Sequence, residues 1–427
     1  MSRRQLPDLN GIKRVLIIRL SAIGDVIHAL PLASALKDAY PHLEISWLVE
    51  EIPADVVSGN PDMERTIVVP RSRWKKGRMH SPSVWKEYLE FLGLLRSHRF
   101  DLTIDLQGYA KSALFALATG AKYRVGWWRM RDGANLVSRP LPRRAESVHR
   151  VDWFLDVARA LGVENPCVRS PIFIPDDARA SVQEKLKQSG FEPGARYAVI
   201  NQAAGNPPRR WGLRRFAALT ARVAERYGLP SALVGTQAEA ADCEEIVRLV
   251  TANMRERGIT DIPVPVNLAG RTDLKELAAL LDGCSVHISG DTGSTHLAAA
   301  LGIPVVAFYG STDPAHAGPW NQSDHVLARK DLCSPNCTIR QCAYGSTGSP
   351  SLGASESAEF VGAGVPPLTA REPMPRTEGR AAALGASKQA KDYDGQPATA
   401  LCLGAISVEQ AIAVLDGILP PIGHEYN

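Results

Sequence analysis

The sequence predicts an α/β protein of two doubly wound domains, each built on a parallel sheet, facing each other across a cleft. Three observations predict it. Short apolar runs alternate with helical patterns, the signature of a parallel sheet covered on both faces. The alternation comes in two series, separated by a stretch at 170–194 that carries Pro171, Pro175 and Pro193. The chain has 427 residues, too many for one ordinary hydrophobic core.

The first series opens with a buried strand at 13–20. A loop at 21–24 leads into a helix at 25–39, where Pro31 predicts a kink. Strands follow at 43–49 and 65–69. A helix at 83–97 then leads to a strand at 101–106, a helix at 109–119 and a strand at 123–126. In the second series, strands at 198–201, 231–234, 264–268, 285–288 and 303–308 alternate with helices at 213–227, 239–254, 273–281 and 294–301. The division is therefore residues 1–180 and 181–342, with the linker in 170–194. Residues 343–400 are rich in Gly, Ala, Ser and Pro and read as a disordered low-complexity insertion. Residues 401–427 form a closing segment, with a helix at 408–419 capped by Ser407.

Composition is that of a globular protein, 45% apolar and 22% charged, with a net charge of +4. That mild excess does not argue for nucleic acid; it suits a protein that meets phosphates or an anionic membrane surface. No apolar run is long enough to span a bilayer, and residues 1–10 lack the apolar core of a secretory signal. Seven scattered cysteines point to a reducing compartment, not a disulfide scaffold. Cytoplasmic placement is the expectation.

The segment 288–302 is the most informative of the chain. An apolar strand runs through Gly290-Asp291-Thr292-Gly293 into an alanine-rich helix containing His296. A helix N-terminus offers unpaired N–H groups and partial positive charge, a seat for phosphate. Asp291 could instead cap that helix, and His296 could lie on its buried face. At the end of the first strand, Asp25 could be a general base on an acceptor hydroxyl or a helix N-cap. Arg209 and Arg210, beside Trp211, could clamp phosphate through their guanidinium forks, or form a solvated turn with Trp211 as a core anchor. Glu239 could accept hydrogen bonds from sugar hydroxyls or simply open a helix. The run Arg71 to Arg78, with Arg73, Trp74 and Lys75, could meet anionic head groups or be a solvated loop. Gln107 and Lys111 lie in another strand-to-helix turn on the crevice side. Cys333, Cys337, Cys342 and Cys402 are spaced too loosely to make a zinc site the first reading.

Taken together, the Ser21-to-Asp25 turn, the Asp105-to-Ser112 turn, Arg209-Arg210-Trp211, Asp291-to-Leu297 and Tyr309-to-Pro314 resemble the ADP-heptose:lipopolysaccharide heptosyltransferases, glycosyltransferase family 9. Within the family, Trp47-to-Glu51, Arg73-Trp74-Lys75 and Asp105-to-Gly108 look most like heptosyltransferase I. The resemblance implies a GT-B fold and an inverting, metal-independent transfer with no cofactor, from ADP-heptose to the Kdo of a lipid A acceptor. It puts the base on Asp25. Donor contacts fall on Arg209, Arg210, Glu239, Asp291, Thr292, Gly293 and His296. Acceptor contacts fall on Arg73, Lys75, Gln107 and Lys111. It also implies peripheral association with the cytoplasmic face of the inner membrane. Arginine at 209, where the family often has lysine, and the insertion after Cys342 depart from its pattern.

Overall fold

In the computed structural model, residues 6–76, 81–192, 194–205, 209–256, 258, 264–329 and 401–421 are described. The first half runs β1 (Arg14–Ile18), α1 (Ile23–Ala39), β2 (Glu44–Glu50), α2 (Ala54–Val57), β3 (Arg65–Val69), α3 (Arg71–Lys76), α4 (Pro82–Ser97), β4 (Leu102–Asp105), α5 (Ala110–Ala118), β5 (Tyr123–Gly126), α6 (Ala134–Val137), β6 (Arg139–Pro140) and α7 (Arg150–Ala160). The second runs α8 (Asp176–Gln188), β7 (Ala198–Asn201), α9 (Leu213–Tyr227), β8 (Ser231–Leu233), α10 (Ala240–Glu256), β9 (Val266–Asn267), α11 (Leu274–Asp282), β10 (Val286–Gly290), α12 (Gly293–Ala300), β11 (Val305–Tyr309), α13 (Pro314–Ala317), β12 (Val326–Ala328), α14 (Leu401–Gly404) and α15 (Val408–Asp416).

Each half carries a six-stranded sheet, ordered β3-β2-β1-β4-β5-β6 and β9-β8-β7-β10-β11-β12. Every ladder is parallel, as in the register Ile17 to Trp47 on one side of β1 and Ile17 to Ile104 on the other. In both sheets the strand order reverses beside the first strand of the half, between β1 and β4 and between β7 and β10. Crevices open at the carboxyl ends of strands at such switch points.

The two halves share a core. One apolar cluster runs from Val15 and Ile17 through Val26 and Leu30 of α1 and Phe154 of α7 to Leu297 and Ala298 of α12. A second cluster fills the other face of the first sheet, beneath α4 and α5, with Leu16, Phe91, Leu95 and Phe115. A third joins Trp211, Phe216 and Phe308 to Cys402, Leu403 and Leu415. Thus the closing helices α14 and α15 complete the second half's core. Trp211 stacks on Phe308 at 4.0 Å and donates its indole N–H to the Ile406 carbonyl. It is a core anchor.

Several sequence readings are corrected. Residues 71–76 form helix α3 and not a loop; Trp74 is buried edge-on against Tyr88 and Phe91, out of reach of head groups. The stretch 170–194, within which the linker was expected, holds a helix. This is α8, which buries Ala178, Val182 and Leu186 and binds α11 through Ser181 and Lys185 to Glu276. The connection is pinned instead at Arg169, which forks onto Asp38 and Asp62. Helix α7 escaped the sequence reading, although Val151, Phe154, Leu155 and Ala158 have helical spacing and are buried. Helix α1 runs through Pro31 as one element. The insertion at 343–400 lies outside the described residues, as do Pro207, Pro208, Cys333, Cys337 and Cys342. Among the described residues no helix is long and apolar enough to cross a membrane.

Candidate active site

The N-terminal ends of α1 and α12 meet head to head across the two halves. This contact depends on glycine. A Cβ placed on Gly24 would lie 2.4 Å from His296 Cδ2, and one on Gly293 would lie 3.0 Å from Ile23 Cγ2. A cavity of about 1190 Å³ opens beside the contact. The first half lines it with Asp25, His28, Arg129 and Arg150, the second with Arg209, Glu239, Asp291, Thr292, Gly293 and His296. We expect Gly24→Ala to cost about 1–3 kcal/mol, because the methyl must displace a packed imidazole. A melting curve and a turnover assay should both show the loss; a variant that melts and turns over normally would contradict the head-to-head packing.

Asp25 sits in the first turn of α1 and is not its cap; Ala22 holds the cap position and makes no side-chain bond. The carboxylate is gripped from two sides. Arg19 Nη2 lies 2.5 Å from Oδ2, and Arg150 pairs with Oδ1. Burial opposes its ionisation, but Arg19 and then Arg150 outweigh burial and hold its pKa below the ordinary carboxylate value. It is therefore charged at neutral pH. Arg19 is itself buried, donates to the Leu106 carbonyl and lies over the rings of Trp127 and Phe154. The sequence reading gave no role to Arg19 or Arg150. A charged residue closing the apolar run of β1 was a signal for the first; the unread α7, which Arg150 opens, hid the second.

The β4–α5 turn supports this loop from below. Gln107 Oε1 accepts the backbone N–H groups of Leu20 at 3.0 Å and Ser21 at 3.4 Å. Asp105, buried, accepts from the N–H groups of Gln107 and Gly108 and from the Ser112 hydroxyl. Burial pushes its pKa up to about 6, the hydrogen bonds notwithstanding. Lys111 pairs with Glu50, which also takes Arg71. Gln107 thus braces the loop, and neither it nor Lys111 is among the residues lining the cavity. Arg73 pairs with Glu87 at 2.9 Å on the surface, and neither it nor Lys75 lines the cavity.

On the other side, the turn after β10 is cross-braced. Asn201 and His287 both bond the Ser294 hydroxyl at 3.0 Å, and Thr295 donates to the Gly290 carbonyl at 2.6 Å. This fixes the N-terminus of α12, capped at Thr292, toward the cavity. Asp291 orients Arg209: the guanidinium reaches Asp291 Oδ2 at 3.2 Å and Ser311 Oγ at 3.1 Å, and Thr312 donates to the same carboxylate oxygen at 2.7 Å. The result is a half-buried cation held beside a helix N-terminus, a built anion site. Arg210 does not join it; it turns to Asp242 at 3.2 Å and is absent from the cavity wall. Glu239 lines the cavity, but its Oε2 takes both the Thr236 N–H and hydroxyl in a capping box.

His296 is buried where the halves meet. Its Nδ1 lies 3.1 Å from His28 Nε2, and His28 packs edge-on against His149, which reaches the Gly318 carbonyl. Burial lowers the pKa of all three, that of His149 to about 4. For His296 the charges of Asp291 and Asp25 oppose that fall. His287 is likewise pulled down to about 4 by burial. Between pH 6.5 and about 4 the unfolded chain binds protons that the folded imidazoles refuse, so stability falls as pH falls. Asp105 acts the opposite way between about 6 and 3.8, and Asp152, raised by burial, adds to it, but the buried imidazoles outnumber these carboxyls. We expect the urea midpoint to drop from pH 7.5 to pH 5; a flat or rising midpoint would contradict neutral buried imidazoles.

Comparisons with known proteins show the family of the chain. The family model for glycosyltransferase family 9 (heptosyltransferase) matches residues 89–346. The chain is 26% identical over 335 residues to the lipopolysaccharide core heptosyltransferase OpsX of Haemophilus influenzae, covering 77% of this chain and 89% of that one. It is 29% identical over 332 residues to lipopolysaccharide heptosyltransferase 1 of Escherichia coli strain K12, covering 76% and 96%. Among solved structures, the E. coli heptosyltransferase WaaC with ADP superposes with a TM-score of 0.58 at 27% identity, covering 73% of this chain and 92% of that one.

Proposed function

The chain belongs to glycosyltransferase family 9 and has its GT-B fold, and from that premise we propose that it transfers heptose from ADP-heptose to a Kdo hydroxyl of the lipopolysaccharide inner core. The single observation that carries the proposal is the pairing across one cavity of a charged carboxylate, Asp25, with a built anion site at Arg209 and the α12 N-terminus. Relatives that the chain matches over most of their length are named for heptose transfer in the lipopolysaccharide core, and a solved relative holds ADP.

The steps follow from the groups. The donor's diphosphate lies on the N–H groups of Thr292 and Gly293, with Arg209 against its oxygens. Glu239, at the cavity wall, takes a donor hydroxyl. The acceptor enters from the first half, where Arg129 and Arg150 face its anionic groups. Asp25 accepts the acceptor proton as that oxygen attacks the anomeric carbon. The low basicity of Asp25 is no obstacle, since the hydroxyl becomes acidic only as the new bond forms. The bond from carbon to phosphate oxygen breaks on the opposite face, and charge growing on the departing ADP meets Arg209 and the helix end. The configuration inverts. One base and a supported leaving group suffice; a retaining double displacement would need a second carboxylate.

Gln107 acts in this scheme by positioning the Asp25 loop, while Lys111, Arg73 and Lys75 serve the anionic acceptor at its periphery. Peripheral placement at the cytoplasmic face of the inner membrane follows from an acceptor of that kind. The order of transfer is set by the acceptor. Incubation with ADP-heptose and either bare Kdo-lipid A or its heptosylated form separates the readings. Transfer to the bare acceptor supports the first-heptose reading, which the likeness to heptosyltransferase 1 favours; transfer only to the heptosylated one supports a later step.

A further inference from the structure

The outer layer of the first half carries an apolar strip that the catalytic account does not use. Helices α4, α5 and α6 cover the face of the first sheet opposite α1 and α7, so they point away from the second half. Their inward sides are packed: Phe91, Leu95 and Phe115 are buried. Their outward sides are not polar. Trp85 is 50% exposed, Leu89 61%, Leu114 52%, Leu117 50% and Leu136 73%. These residues belong together. Trp85 packs on Tyr88, Tyr88 on Phe115 of α5, and α5 lies against α6. Scattered exposed leucines need no explanation, but a tryptophan and four leucines on three adjoining helices form a patch.

Charge says what would cover it. Residues 71–144, which span α3 to the end of this layer, hold sixteen Arg and Lys against five Asp and Glu, a net +11. The whole chain totals +4, so the remaining residues total −7. Lys86, with its side chain 81% exposed, and Lys75 border the strip. A second copy of this face would bring like charges together. An anionic bilayer answers both features, since apolar side chains enter the acyl boundary while Lys and Arg meet the head groups.

We propose that the α4–α5–α6 face is the surface on which this protein sits on an anionic lipid bilayer, with Trp85, Leu89, Leu114, Leu117 and Leu136 entering its interface. The inference deepens the proposed function, resting on that reading only for its purpose; its test needs no sugar. The purified protein is sedimented with vesicles of phosphatidylcholine alone or mixed with phosphatidylglycerol. The expected result is binding to the anionic vesicles about tenfold or more above the neutral ones, lost in high salt. Trp85→Ser with Leu114→Ser and Leu117→Ser should cut that binding about tenfold or more with an unchanged melting temperature. Trp85→Phe should keep the binding but remove much of the quenching of tryptophan emission by brominated lipid. Turnover of an acceptor stripped of its acyl chains should be unaffected by the triple change. Wild-type protein indifferent to anionic vesicles, or a triple variant that binds them normally, overturns the proposal. So does a dimer that the triple change dissociates without altering vesicle binding. If the lipid binding holds and no acceptor is glycosylated, it is the proposed function that has failed.

Discussion

Asp25→Asn should lower kcat by about 10²–10⁴-fold while leaving ADP affinity within about threefold. The amide keeps the shape of the carboxyl group and can still accept a bond from Arg19, but it takes no proton. A loss in kcat without a matching loss in donor binding marks a group that acts only in the transition state. The substitution also strips Arg19 of its counter-charge, and Arg19 is only 5% exposed. Some stability is therefore lost, although Arg19 keeps the Leu106 carbonyl and Asp25 is partly open to solvent. Melting curves separate the two effects. A folded Asp25→Asn protein with near-normal turnover would remove Asp25 from the chemistry.

Arg209→Ala should act on the other substrate. Losing the guanidinium removes the cation seated against Asp291, Ser311 and the α12 N-terminus, and leaves Asp291 facing the diphosphate. We expect kcat/KM for the donor to fall about 10²–10³-fold and ADP binding by calorimetry to weaken with it. Arg209→Lys should recover part of this, since it restores charge without the two-pronged geometry. Full activity in the alanine variant would mean that the anion site lies elsewhere.

The architecture was legible because its signals are local. Short apolar runs marked the strands and period-3.6 patterns the long helices, and β3, β5, β7 and α9 fall where those patterns put them. Short elements whose stability comes from packing were not legible: α3 is held by Trp74 wedged between Tyr88 and Phe91, a contact between segments. The same difference runs through the site. Asp25, Asp291 and His296 stand at strand ends or helix starts and Arg209 in the loop between β7 and α9, so position along the chain drew attention to them. Arg150 matters through a contact spanning 125 residues, which no window of sequence displays; Arg19 is close to Asp25 in sequence, but its burial against the Leu106 carbonyl and the rings of Trp127 and Phe154 is set by distant segments. Arg210 misled for the opposite reason. It is adjacent to Arg209 in sequence, but the turn sends the two side chains apart, one to Asp291 and one to Asp242.

The proposed transfer requires that a carboxylate of the first half and a cation of the second serve one sugar diphosphate. Mass spectrometry of ADP-heptose and Kdo-lipid A incubated with wild-type protein and with Asp25→Asn tests it most directly. The predicted result is a heptosylated acceptor and an equal amount of ADP with the wild type, neither without acceptor, and donor bound but unspent with the variant. Donor consumed in the absence of acceptor, or the heptosylated product formed at the wild-type rate by the variant, would contradict it.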